Sequence, residues 1–258
     1  MLIRADSLEQ VNQMEWDHTW RIAMLMDSEY ESMCGRGERG AYTLKLSRQK
    51  SSWPMRIGDL LSYAELENIH VILLLSQEEL DEVKRCYQGR NCRETFLRPD
   101  EKKVMVHSTT LESWECIRRE GCLKSWNLAR KDGDLNEEKP IGHILGDPED
   151  FRDYIMFGSG LSCEIVVASK QAGKMMFDPD APYASGARLY LDAEKMAADG
   201  LLVRDGNHRK VKDRLPLEPY LIWTATGENL GLPDRTTTPA IFSQKADPMF
   251  EKLFSGSV

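Results

Sequence analysis

Apolar residues in this chain come in runs of no more than five, as at Val71–Leu75. A membrane-spanning helix needs about 20 consecutive apolar residues, so neither a transmembrane segment nor a membrane partner is expected. A short, continuous apolar run with a β-branched start reads instead as a strand buried on both faces. Such a strand needs helices to cover it. The chain supplies capped helical patterns on either side, which predicts an α/β (α+β) fold.

Ser7 and Gln10 form a capping box that opens a helix expected to run to about Met26, ended by the break at Cys34-Gly35-Arg36-Gly37. Alternation of Tyr42, Leu44 and Leu46 with polar residues predicts a strand over 41–47. Residues 57–66 suit a helix, 70–75 a strand, and Ser76 caps a helix to about Tyr87. The polar, basic stretch 89–103 is the expected boundary between an N-terminal α/β lobe (1–100) and a second domain (101–258). In that second domain 104–107 reads as a strand. Thr109 and Glu112 make a capping box for a helix that closes at Gly121. Residues 124–150 read as one long polar loop. Strands are expected at 164–169, 188–191, 201–203 and 220–223, with Asp192 capping a short helix that Gly200 ends, and a docking helix at 249–254.

The net charge of −8 argues against a chain that coats nucleic acid indiscriminately. Basic residues are nevertheless clustered, and phosphate contacts are expected from Arg85, Arg90, Arg93, Arg98, Lys102, Lys103, Arg118, Arg119, Lys124, Arg130 and Lys131. A third cluster comprises Arg204, Arg209, Lys210, Lys212 and Arg214. Three separately solvated faces would give the same pattern. The six cysteines have no C-x-x-C spacing, which points to reduced, mostly buried thiols, a cytoplasmic location and no metal site. No nucleophile elbow or metalloprotease helix is present, and neither a P-loop nor a Rossmann nucleotide site is expected.

Among the five histidines, His107 stands where a strand meets Ser108, Thr109 and Thr110 at a helix start. Free N–H groups there suit an anion, and a histidine can shuttle a proton near neutral pH. His143 lies in the long loop, followed by Arg152, Asp153 and Tyr154. Asp205-Gly206-Asn207-His208 is a turn by composition; as a plain hairpin turn it needs no functional role, while its polar side chains, Asn207 and His208 included, could also face a pocket.

The strand ending Val106-His107-Ser108-Thr109, the helix closing at Glu120-Gly121, the segment 189–200, Asn207 and Leu215-Pro216-Leu217-Glu218-Pro219-Tyr220 resemble the RNA 2'-phosphotransferases and their ADP-ribosyltransferase-fold relatives. Residues 57–61 and the helix from Ser76 resemble that family's winged-helix-like N-terminal lobe. The resemblance implies a split-sheet transferase core, RNA as partner, and NAD as cofactor at His107. It departs where the family's HGT carries Ser108 and where the arginine-bearing phosphate-gripping stretch is missing. In size and general character the chain is also similar to fungal arginine-containing cyclodipeptide synthases, which implies aminoacyl-tRNA donors and no cofactor. Under these readings His107, His143 and Glu164 are the catalytic candidates. Ser108, Thr109, Thr110, Arg152, Asp153, Tyr154, Arg188, Asp192, Asn207 and His208 are the candidates for binding substrate or cofactor. A non-catalytic RNA-binding module is the third reading. The oligomeric state is not specified by any of these features.

Overall fold

The computed structural model of the chain describes residues 1–87, 91–135, 140–232 and 237–254. Helices and several sheets make it an α/β protein. It divides into two compact units, and neither is continuous in sequence. Met1–Glu94, Leu145–Phe151 and Leu202–Arg209 form the first, and Thr95–Ile144, Arg152–Leu201 and Lys210–Val258 the second.

The first unit is built on strands β1 (Leu2–Ala5), β2 (Arg21–Met26), β3 (Ser32–Arg36), β4 (Tyr42–Ser47) and β5 (Val71–Leu74), with helices α1 (Leu8–Gln13), α2 (Trp53–Leu66) and α3 (Gln77–Tyr87). The strand order is β1-β5-β2-β4-β3. All pairings are parallel except that of the edge strand β3, which runs antiparallel to β4. Period-2 alternation decides what each side chain meets. Val71 and Leu73 join Ala23, Leu25, Leu44 and Leu46 under Trp53, Ile57 and Leu60 of α2 and Val83 of α3. Ile72 turns the other way, toward Ile22, Val11, Trp16 and Trp20. A parallel sheet covered on both faces is the arrangement that continuous apolar strands require. Residues 57–61 and the helix from Ser76, which resemble a winged-helix-like lobe in sequence, lie in α2 and α3 and pack on this sheet.

The helix expected from Ser7 to Met26 stops at Gln13. Its cap forms as read, with the Ser7 hydroxyl accepting the Gln10 N–H at 3.2 Å and the Gln10 side chain accepting the Asp6 N–H at 2.8 Å. Asp17 then accepts the Thr19 N–H at 2.8 Å, which turns the chain into β2. Cys34-Gly35-Arg36 is a strand rather than a break, because β4 supplies its pairing partner. The stretch Gly35–Gly40 has the spacing G-x-G-x-x-G, but it links two antiparallel strands instead of opening a helix. It therefore lacks the strand-to-helix setting in which that spacing binds a dinucleotide.

In the second unit, β6 (Val104–Thr109) is followed by α4 (Leu111–Glu120), β7 (Cys122–Lys124), α5 (Trp126–Lys131), α6 (Ile141–Leu145), β8 (Tyr154–Met156), α7 (Leu161–Ala172), β9 (Ala187–Asp192) and α8 (Ala193–Ala198). The chain returns to the first unit as β10 (Leu202–Arg204). It then finishes with β11 (Arg209–Lys212), β12 (Arg214–Pro216), β13 (Leu221–Thr226) and α9 (Pro239–Phe254). An antiparallel sheet of order β13-β9-β6 carries the core. Val106, Tyr190 and Ala225 pack there against Cys163 and Val167 of α7 and Phe242, Ala246 and Phe250 of α9.

Several expectations are corrected in this unit. Thr109 pairs with Ala187 as the last residue of β6, so the N-cap of α4 is Thr110, whose hydroxyl accepts the Ser113 N–H. The long loop expected at 124–150 begins at the last residue of β7 and contains α5 and α6. Residues 164–169 are helical, not a strand. Gly160 and Gly173 bound α7, and Cys163, Val167 and Ala168 form its buried face, so packing overrides the β-branched run. The helix expected at 249–254 is the end of α9.

An ion pair sits in this core. The Glu164 side chain, 1% exposed, lies 3.2 Å from the guanidinium of Arg188, 0% exposed. Glu164 also accepts from the Ser108 and Tyr183 hydroxyls, both at 2.6 Å. Arg188 donates to the Gly160 carbonyl at 2.9 Å and to Asp247 at 3.0 Å. Removing Glu164 leaves the buried Arg188 with Asp247 alone to balance it and the Ser108 and Tyr183 hydroxyls without their acceptor. Glu164→Ala is therefore expected to cost about 3–5 kcal/mol, read as a lower urea midpoint.

Candidate functional site

Strand alternation places Ser32, Cys34 and Arg36 of β3 on the same face as Tyr42 and Leu44 of β4, since Cys34 is opposite Leu44 and Arg36 opposite Tyr42. That face is the one covered by α2. The turn Asp205–His208 lies on it within the first unit. Gly206 at the turn has φ +89, and a Cβ there would meet the Arg56 carbonyl oxygen at 2.5 Å and a Leu44 methyl at 2.9 Å. Only glycine allows the turn to come this close.

Asp205 folds the turn. One of its carboxylate oxygens accepts the N–H groups of Asn207 at 2.9 Å and His208 at 2.6 Å. The other lies 3.3 Å from Nδ1 of His208. Asn207 is oriented from outside the turn. Its Oδ1 accepts from Arg56 Nη2 and from the Ser32 hydroxyl, both at 3.0 Å, and Arg56 Nε donates to the Gly206 carbonyl at 2.6 Å. A guanidinium only donates, so the Asn207 amide nitrogen must face the other way. There it lies 3.0 Å from Cys34 Sγ and 3.0 Å from His208 Nε2.

Burial alone would lower the His208 pKa. The Asp205 carboxylate and the hydrogen bond to the Cys34 sulfur outweigh it, and the ring is pushed up to about 10. The amide N–H beside Nε2 would favour a neutral ring, whereas the carboxylate and sulfur favour the cation. Both N–H groups aimed at one sulfur reconcile the two, and we take the charged ring as the resting form. Burial likewise lowers the pKa of Arg56, against the pull of Glu31 and Asp205.

Cys34 itself is exposed, and its neighbours are a histidine, a carboxylate oriented on that histidine and an amide donor. Nucleophile, acid–base group and orienting carboxylate are the parts required for covalent catalysis at sulfur. Tyr42 closes the back of the site. Its ring meets Phe151 edge-on at 5.5 Å, and Phe151 in turn meets the His208 ring at 5.4 Å. The Tyr42 hydroxyl is buried and, among the described residues, makes no well-formed hydrogen bond; the sulfur of Cys34 is the side-chain atom it reaches.

The sequence candidates are scattered by comparison. Asn207 and His208 belong to this site. His107 is half-buried on β6, with Nδ1 3.0 Å from the Met156 carbonyl; burial lowers its pKa. His143 is exposed on α6. Glu164, Arg188 and Ser108 bind one another in the core of the second unit. Asp192 and Thr110 are helix caps, and Thr109 is paired in β6. Asp153 accepts from Asn127 at 2.6 Å, Arg152 lies over the Trp126 ring, and Lys210 and Lys212 lie over the ring of Tyr154.

The basic clusters are partly consumed inside the fold. Arg98, Arg204 and Lys210 are buried. Lys124 lies 2.7 Å from Glu120, 2.9 Å from Asp132 and 2.6 Å from Asp134. Lys103 is 3.5 Å from Glu194. Arg85, Arg93, Lys102, Arg118, Arg119, Arg130 and Lys131 are exposed, and Arg90 lies outside the described residues. All six cysteines are free thiols, but only Cys92, Cys122 and Cys163 are buried. Among the described residues no helix is long and apolar enough to cross a membrane, and no group of three metal-ligating side chains is found.

Cys34, Asp205, Arg56 and Tyr42 are the site residues that sequence reasoning missed. The polar turn at 205–208 was a visible signal, whereas nothing local connects Cys34 to it. No protein-family model matches the chain, and neither curated proteins nor solved structures provide a match.

The charged His208 has a pH signature. Its folded pKa, about 10, lies above the ordinary value of 6.5, so its contribution to stability is complete below the ordinary value and is lost as pH rises through the folded one. Urea midpoints are expected to fall between those two pH values. His208→Gln should remove that part of the slope.

Proposed function

We propose that this chain is an acyl transferase in which Cys34 takes an acyl group from an activated ester. The observation that carries the reading is the His208 ring, held between the Asp205 carboxylate and the Cys34 sulfur. In the resting pair the proton stays on His208. Cys34 Sγ attacks the ester carbonyl and a tetrahedral oxyanion forms. As it collapses, the carbon–oxygen bond to the leaving alcohol breaks, and His208 Nε2 gives its proton to that oxygen. The product is a thioester on Cys34. An incoming amine then attacks the thioester carbonyl, His208 takes the amine proton, and the carbon–sulfur bond breaks to release an amide and the free sulfur. Asp205 keeps the ring in the tautomer and orientation that both steps need.

The donor class that fits the sequence reading is an aminoacyl ester carried on tRNA. Its leaving group is a ribose hydroxyl, so the chemistry needs no NAD. Arg85 and Arg93, exposed on the unit that carries Cys34, would meet phosphates of such a donor, an attraction that weakens steeply as salt rises.

The test is to mix the protein with tRNA charged with labelled amino acids and to look for label on the protein that neutral hydroxylamine removes. Wild type should be labelled, and Cys34→Ala should not. His208→Ala should label at least about 100-fold more slowly. Unlabelled wild-type protein, or label that persists on Cys34→Ala, would sink the reading. If NAD raised the thermal midpoint and charged tRNA did not, the reaction would return to the strand of His107.

A further inference from the structure

The structure also carries a donor for which the resting site holds no strong acceptor. Tyr42 is 7% exposed, yet among the described residues its hydroxyl makes no well-formed hydrogen bond. Burial raises its pKa, and Asp205, Cys34 and Asp147 push in the same direction, so the phenol stays a neutral donor. The one side chain it reaches is that of Cys34, and a sulfur is a weak acceptor, so the group is left for a better one. Tyr42 and Cys34 are diagonal neighbours on one face of the β4–β3 pair, a spacing that long side chains bridge.

Resting on the acyl-transfer reading above, we infer that the Tyr42 hydroxyl donates to the carbonyl oxygen of the acyl group as that oxygen becomes an oxyanion on Cys34. The Asn207 amide nitrogen lies 3.0 Å from the same sulfur. Two preorganised donors aimed at the position where charge develops make an oxyanion hole. The recognised class is thus an acyl carbonyl carried on sulfur. Tyr42 is a catalytic residue in this scheme, and Arg56 is a positioning residue because it acts only through Asn207.

The experiment compares Tyr42→Phe with wild type in three measurements. These are burst-phase acylation by p-nitrophenyl acetate, alkylation of Cys34 by iodoacetamide, and the thermal midpoint. Alkylation forms no oxyanion, so it reports the sulfur alone. The expected result is acylation slower by about 100-fold, with alkylation not slowed and the midpoint equal to or above that of wild type, since a buried hydroxyl without a strong acceptor has been removed. Equal acylation rates would overturn the role of Tyr42. A lower midpoint with acylation and alkylation falling together would also overturn it, in favour of a packing role. If wild-type Cys34 alkylates but is acylated by neither p-nitrophenyl acetate nor charged tRNA, the acyl-transfer reading fails and the inference with it.

Discussion

Asp205 is asked to do two things at once, and the site depends on both. One carboxylate oxygen gathers the N–H groups of Asn207 and His208, and the other faces the His208 ring. Folding the turn and orienting the imidazole are therefore a single event. Gly206 lets the turn sit against α2, and Arg56 fixes the Asn207 amide so that its nitrogen faces Cys34. None of these contacts is strong alone. Their geometry is shared, so loss of the carboxylate would release the ring, the amide and the sulfur together.

The buried pair in the second unit shows the opposite use of charge. Glu164 and Arg188 are surrounded by Ser108, Tyr183, Tyr190 and Asp247, and their hydrogen-bonding capacity goes to one another. Tyr190 stacks on Phe250 with ring centroids 4.2 Å apart, which ties the network to α9. A saturated network of this kind fixes the packing of helix on sheet. Cys34, His208 and Tyr42 are arranged differently, with an exposed sulfur, a charged ring and a donor without a strong acceptor. Glu164, conspicuous in sequence, is spent within the core of the second unit.

Local rules were legible wherever a cap or a period governs the outcome. Ser7 and Gln10, Ser76 and Glu79, and Asp192 with Lys195 cap helices through bonds only three or four residues long. The apolar run at Val71 became a central strand, and Asp205–His208 became a turn. The readings that failed share a physical cause. Arg21–Met26 continues no helix because its hydrogen bonds go to β4 and β5, which lie far along the chain. Residues 164–169 have the β-branched residues of a strand, but the core they fill is lined by Val106, Tyr190 and Phe242 and accepts a helix.

The candidate site divides along the same line. Sequence alone determined that Asn207 and His208 sit in a polar turn, because an Asp-Gly-Asn run needs only its own backbone to fold. It also determined the mixed α/β character, through runs too short to cross a membrane and too apolar to be left in water. Only tertiary structure decided that this turn meets Cys34, 173 positions earlier in the chain. That contact depends on the register of β3 on β4 and on the returning segment Leu202–Arg209 joining the first unit. Register and return are properties of long-range packing, and no local pattern around Cys34 encodes them.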